Sequence, residues 1–174
     1  MQLYLTDTVV DIVYDAFDVA IRIGSLDDSS LICRRLAAND YVVCASPTYL
    51  ERYGTPEHPE ALLGYNCLTA LNCEPLREWR FLTDKGEQRI SVSGTLSTNN
   101  ALVMRQAVLD GEGIAMLPRY MVVEDLANKR LTSLFDGQVP ANGDIWALYP
   151  SRQLLPRRVE AFLELLGEHF AEVV

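Results

Sequence analysis

STNNALVMRQAVLDGEGIAMLP, residues 97–118, decides the reading of this chain. It opens on Ser97, Thr98, Asn99 and Asn100, residue types that cap a helix start. An amphipathic run to Leu109 follows, then a glycine-marked turn, a short apolar strand over Ile114–Leu117, and Pro118 at the start of a second helix reaching Leu126. Helix, tight turn and buried strand in direct succession predict an α/β fold. The cap also gathers backbone N–H groups and side-chain amides on one spot, which suits a small anion. Thr98, Asn99 and Asn100 are therefore the leading ligand-contact candidates, although helix capping alone explains the same residues. Gly111 and Gly113 serve the helix end and the turn; Gly-x-Gly with no strand directly before it is not a phosphate loop.

Working outward toward the N-terminus, Met1–Leu5 reads as a short strand. Asp7 or Thr8 then caps a helix whose apolar face is Val9, Ile12, Val13, Ala16 and Phe17. Val19–Ile23 is a compact apolar strand ended by Gly24, so strand, helix and strand predict a parallel βαβ unit. Two strands, LICRRL and YVVCAS, are separated by the turn-like Ala37–Asp40, and Pro47 starts a helical turn that stops at Gly54. A short helix over Glu60–Leu63, a strand over Cys67–Leu71 and a hairpin around Asp84–Lys85–Gly86 follow. Beyond the opening stretch, strands over Leu131–Phe135 and Ile145–Tyr149 flank the loop QVPANGD. The last helix, from Pro156 to about Ala171, carries the stripe Val159, Phe162, Leu163, Leu166 and Phe170. The pattern predicts two α/β lobes, 1–69 plus 150–174 and 70–149, with crossings near Thr69–Leu71 and Leu148–Pro150. A ligand cleft is expected between them.

Composition narrows the function. A net charge of −9 over 174 residues, with Arg34–Arg35 and Arg157–Arg158 as the only dense basic spots, argues against direct nucleic-acid binding. No apolar run reaches membrane-spanning length, and MQLYLTD has neither the basic start nor the apolar core of a signal peptide. Cys33, Cys44, Cys67 and Cys73 read as free, buried thiols, which implies a cytoplasmic location; no Cys-x-x-Cys or nearby histidine suggests a metal, and no cofactor motif is visible. An enzyme would need Cys44 or Cys67 as nucleophile with His58 or His169 as base, and no third orienting group accompanies them.

The remaining site candidates come from the first lobe. Arg22, inside the apolar strand, needs an anionic partner. That partner is a ligand carboxylate or, more commonly, a neighbour such as Asp18 or Asp11. Gly24 and Ser25 follow at the strand's C-terminal end, the end that faces ligand crevices in open α/β sheets. Ser46, before Pro47, would either reach the cleft or cap the turn that follows it. Trp79 and Trp146 read as core.

Several segments together resemble the effector-binding domain of LysR-type transcriptional regulators. They are FDVAIRIGSLDDSSLICRRLAANDYVVCASPTYLERYGTPEHPEAL, WRF, STNN, DGEGIAMLP and ALYPSRQLLPRRVEAFLELL, in this order, and the likeness covers essentially the whole chain. The resemblance implies a type 2 periplasmic-binding-protein fold that holds a small effector, often an organic acid or aromatic carboxylate, between two subdomains. It also implies a homodimer or higher homo-oligomer, with DNA bound only through an N-terminal helix-turn-helix that this sequence lacks. The domain's usual first strand and helix are missing as well, and with them a Ser or Thr ligand contact. The alternative is a stand-alone binding module or oligomerisation partner without DNA-binding activity.

Overall fold

The computed structural model describes residues 1–6, 10–24, 26, 31–71, 78–84, 86–141, 143–150 and 156–173. They pack as two units, one formed by Met1–Asn39 with Asn142–Val174, the other by Asp40–Ala141. We call them the terminal and the central unit. This division places residues 40–69 in the central unit, whereas the sequence-based division groups them with the termini. The strand YVVCA supplies the reason: it hydrogen-bonds into the sheet of the central unit, away from the neighbouring LICRRL.

The central unit is built on five strands in the order β7-β4-β8-β3-β9. They are β3 (Tyr41–Ala45), β4 (Cys67–Ala70), β7 (Ser97–Thr98), β8 (Ile114–Pro118) and β9 (Thr132–Leu134). Alternation along β3 and β8 splits the core between the two faces of this sheet. Val43, Ala45, Cys67 and Ile114 meet Trp79 and Phe81, carried by the hairpin β5 (Glu78–Thr83) and β6 (Gly86–Ser91). Val42, Cys44, Leu68, Ala115 and Leu117 meet Met104 and Val108 of α2 (Ala101–Leu109) and Val122 of α3 (Arg119–Ala127). The helix α1 (Pro47–Tyr53) ends at Gly54, as expected, and a 3₁₀ helix over Pro59–Gly64 follows.

Strand directions put the functional elements at one end of the sheet. β4 runs parallel to β7 and β8, and β8 runs antiparallel to β3. The C-terminal ends of β4, β7 and β8 therefore share an end with the start of β3, where Ala70 lies opposite Thr98 and Tyr41 opposite Pro118.

In the terminal unit, β10 (Asp144–Pro150) lies between β1 (Ala20–Gly24) and β2 (Leu31–Ala38), antiparallel to both. This overturns the expected parallel βαβ unit: the partner of β1 comes from the far end of the chain. The helix expected over Val9–Phe17 is also absent. Asp7, Thr8 and Val9 lie outside the described residues, and residues 12–16 form a turn. Asp11 caps this turn, its Oδ1 accepting from Val13 and Tyr14 N–H at 3.0 Å, but Ala16 at φ +56° and the bond from Phe17 N–H to the Ile12 carbonyl at 3.0 Å close the chain after one turn. Among the described residues of the supposed stripe only Ile12 is fully buried, while Val13 is 64% exposed. Residues 1–5 form no strand. The helix α4 (Arg157–Val173) lays Val159 and Leu163 on Ala147, with Val19, Leu36 and Tyr149 around them. Cys44 and Cys67 are buried free thiols, but Cys33, on the outer strand β2 of its three-stranded sheet, is free and exposed; Cys73 lies outside the described residues.

Candidate functional site

The polar stretch before α2 starts as a strand and ends as a cap. Thr98 pairs with Ala70 on β4, and its carbonyl accepts from Leu71 N–H at 3.0 Å. Its hydroxyl accepts from the backbone N–H of Asn100 at 3.1 Å. Asn100 is the helix cap: its Oδ1 accepts from Leu102 and Val103 N–H at 2.9 and 3.1 Å. Ser97 is tied to Thr69 by a 2.7 Å hydroxyl contact. Thr98 is half-buried, while Asn99 and Asn100 are exposed at the C-terminal end of the parallel strands. That is the end where open α/β sheets receive ligands. The capping role is thus filled by Asn100, and the amide end of a nine-residue helix lies beside Thr98 and Asn99.

The turn behind α2 holds this geometry. Gly111 has φ +81°, and the Cβ of any other residue at position 113 would lie 2.5 Å from the carbonyl oxygen of Asn66. Both glycines are structural, as their spacing suggests. Asn66 knits the same region, donating to Thr95 Oγ1 and to the Glu112 carbonyl at 2.9 and 2.6 Å and accepting from Thr95 N–H at 2.8 Å.

Ser46 is a cap and is buried: its hydroxyl accepts from Tyr49 N–H at 3.3 Å. In the terminal unit Arg22 is half-buried on β1 and donates from Nη2 to the Val10 carbonyl at 3.1 Å. The expected ion pair with Asp18 or Asp11 does not form. Asp18 takes Arg158 at 3.3 Å, and Asp11 is spent on the turn at 12–16. Gly24 closes β1 at φ +111° opposite Asp144; Ser25 lies outside the described residues. Thr98, Asn99 and Asn100 stand together in the central unit; Ser46, which follows β3, lies at the opposite end of that sheet, where Ala45 pairs with Ile114, and Arg22 and Gly24 belong to the terminal unit.

Sequence reading missed a buried charge cluster. Asp125 on α3 is 1% exposed. Arg105 of α2 grips it with two bonds, Nε to Oδ2 at 2.6 Å and Nη2 to Oδ1 at 2.9 Å, and Arg130 adds a third contact to Oδ1. This clamp ties α2, the helix under the cap, to α3. The available signal was weak: Asp125 falls among exposed-looking charges and polar residues between Glu124 and Arg130.

The buried cysteines are chemically quiet. Burial, helped by the Asp125 carboxylate and partly offset by Arg119, pushes the Cys44 thiol up to about 12, and burial pushes Cys67 to about 12 as well. Neither is a thiolate at neutral pH, the state a cysteine nucleophile requires.

The LysR substrate binding domain family matches residues 1–171. The chain belongs to that family. Its fold is accordingly the α/β, type 2 periplasmic-binding-protein-like fold, and solved LysR regulatory domains share it. The structure of CrgA, a LysR-type transcriptional regulator from Neisseria meningitidis, superimposes with a TM-score of 0.82 at 31% identity, covering 91% of this chain and 54% of CrgA. The CrgA regulatory domain alone gives the same TM-score with 78% of its length covered. Among curated relatives, the transcriptional regulator DmlR of Escherichia coli (strain K12) is 35% identical over 168 residues, 95% of this chain and 54% of DmlR. The transcriptional activator AaeR of the same organism is 33% identical over 164 residues, 94% of this chain and 53% of AaeR. The LysR-type chain described here spans about half the length of these relatives, all of them transcriptional regulators. Among the described residues no helix is long and apolar enough to cross a membrane.

Proposed function

We propose that this LysR-family domain senses a small organic acid or aromatic carboxylate, held in the cleft between its two subdomains, and so modulates DNA binding by a full-length oligomer. The observation that carries the reading is the start of α2: Thr98, Asn99 and the capped helix end at Asn100 stand where the parallel strands β4, β7 and β8 finish. A helix N-terminus at that place favours a carboxylate through its N–H groups and dipole without a formal positive charge. Arg22, Gly24 and Ser25 are the proposed contacts from the other subdomain. The effector biases the relative orientation of the subdomains, and its leverage is limited to its differential affinity for the two states, about 1–3 kcal/mol for couplings of this kind. DNA is reached through a helix-turn-helix carried elsewhere in the full-length regulator, which acts in the cytoplasm as a dimer or larger homo-oligomer.

The test is a thermal-shift screen of this chain with small carboxylates and aromatic acids. A ligand at a hundredfold excess over Kd stabilises by about 2.7 kcal/mol. Asn100→Asp separates ligand binding from capping: the carboxylate still caps α2, yet it repels an anionic guest. The shift given by any hit should vanish in Asn100→Asp and shrink in Thr98→Ala. Hits that shift both variants as they shift the parent chain would show that the site is elsewhere.

A further inference from the structure

A cavity of about 180 Å³ lies within the central unit, at the start of β3, the start of α3 and the loop after β9. Asp40, Tyr41, Arg119, Phe135, Asp136 and Gly137 line it. It is distinct from the start of α2: in the sheet order β7-β4-β8-β3-β9, β3 is three strand positions from β7, about 14 Å at a spacing of ~4.8 Å.

Its charges are the informative feature. Arg119 and two aspartates, Asp40 and Asp136, face one small space, yet among the described residues none of the three makes an ion pair. All three side chains are exposed, so without a guest each is solvated by water. Arg119 N–H donates to the Asp40 carbonyl at 2.8 Å, which fixes the backbone at the mouth. The far wall is equally fixed: Asp136 accepts from the Ser133 hydroxyl at 2.8 Å, Gln138 N–H donates to the Phe135 carbonyl at 3.0 Å, and Leu82 N–H to the Gln138 carbonyl at 2.6 Å. Phe135 itself is held at φ +58°, rare for a side chain branched into an aromatic ring, with its ring edge-on to Phe81 at 5.5 Å. Strained backbone that its surroundings hold in place concentrates at ligand clamps.

We propose that this cavity is a second ligand site, one that takes a small free α-amino acid. The guest's carboxylate sits on the Arg119 guanidinium, which is shaped for two parallel hydrogen bonds to it. Its ammonium group lies toward Asp40 and Asp136. The volume admits a guest of a few heavy atoms, well below the usual drug-sized pocket. The proposal is independent of the carboxylate reading for the start of α2.

The experiment is a titration of the full chain with glycine and L-serine, followed by backbone amide chemical shifts, with acetate and methylamine as half-guests. Glycine and L-serine should move the amides of Tyr41, Phe135 and Gly137 at millimolar concentration and leave those of Thr98–Asn100 in place. Each half-guest should bind at least tenfold more weakly. Arg119→Ala and Asp40→Asn should each weaken glycine binding at least tenfold while melting with the parent chain, since both side chains are exposed. Asn100→Asp should bind glycine unchanged. The proposal falls if neither amino acid moves these amides up to tens of millimolar, if acetate alone binds as well as glycine, or if the binding follows Asn100 and ignores Arg119.

Discussion

Truncating Asp125 should be the most damaging single charge deletion in the chain. Its carboxylate is 1% exposed and held by Arg105 at 2.6 and 2.9 Å, with Arg130 on the same oxygen as the second bond. Arg105 is only 26% exposed at its side chain, so it cannot swing fully into water when its partner is lost. Breaking a buried pair by removing one partner costs about 3–5 kcal/mol, most of it the desolvated charge left behind. A total stability of roughly 5–15 kcal/mol leaves little reserve. At roughly 2–4 °C per kcal/mol for a chain of this size, Asp125→Ala should lower Tm by roughly 6–20 °C. The assay is thermal and urea denaturation followed by circular dichroism, with the m-value checked for constancy. Two comparisons make it diagnostic. Asp144→Ala removes an equally short ion pair, Arg35 Nη2 to Asp144 Oδ1 at 2.8 Å, but an exposed one, and should move the midpoint far less. Replacing both Arg105 and Asp125 by apolar residues, Arg105→Met with Asp125→Leu, should recover most of the loss, because it removes the unpaired charge rather than exposing it. An Asp125→Ala midpoint within two degrees of the parent, or a double variant worse than the single one, would refute the argument.

Two further outcomes follow from the thiols and from Asp144. At pH 8, an alkylating agent should label Cys33 within minutes in the native protein and reach Cys44 and Cys67 only in denaturant, because Cys33 is exposed while burial holds the other two thiols at about 12; peptide mass spectrometry reads each site, and native labelling of Cys44 at the Cys33 rate would contradict it. The hydrogen bond from Arg35 holds the Asp144 carboxyl below its ordinary range. A depressed carboxyl stabilises the fold above its unfolded value of about 3.9 and loses that contribution as pH falls through the folded value. The stability difference between the parent and Asp144→Asn, followed by urea titration, should therefore be constant from neutral pH down to about 5 and shrink at more acid pH. A difference unchanged in strong acid would assign it to something other than ionisation.

Much of this protein is legible from local pattern. The cap, helix, turn and strand over residues 97–118 form as read, because each step is set by neighbours within a few positions: Asn100 caps its own helix, and Gly113 sits where the Asn66 carbonyl leaves no room for a Cβ. The hairpin around Gly86, the stop of α1 at Gly54 and the apolar stripe of α4 follow the same logic. The N-terminal helix failed for a local reason too: it starts on the Asp11 cap, but Ala16 at φ +56° and the Phe17 N–H bond to the Ile12 carbonyl end it after one turn.

Sequence alone thus determined the local elements from Pro47 onward, the family and the polar helix start at Thr98–Asn100. Only the tertiary structure decided that β1 pairs with β10, that the chain divides beside Asn39 rather than near Thr69, that Cys33 is uncovered, and that Asp125 is buried under two arginines. The physical reason is range. Helix caps and tight turns draw on bonds between near neighbours, whereas strand partnership and charge burial depend on groups brought together from distant parts of the chain, such as Ala20 and Leu148 or Arg105 and Asp125.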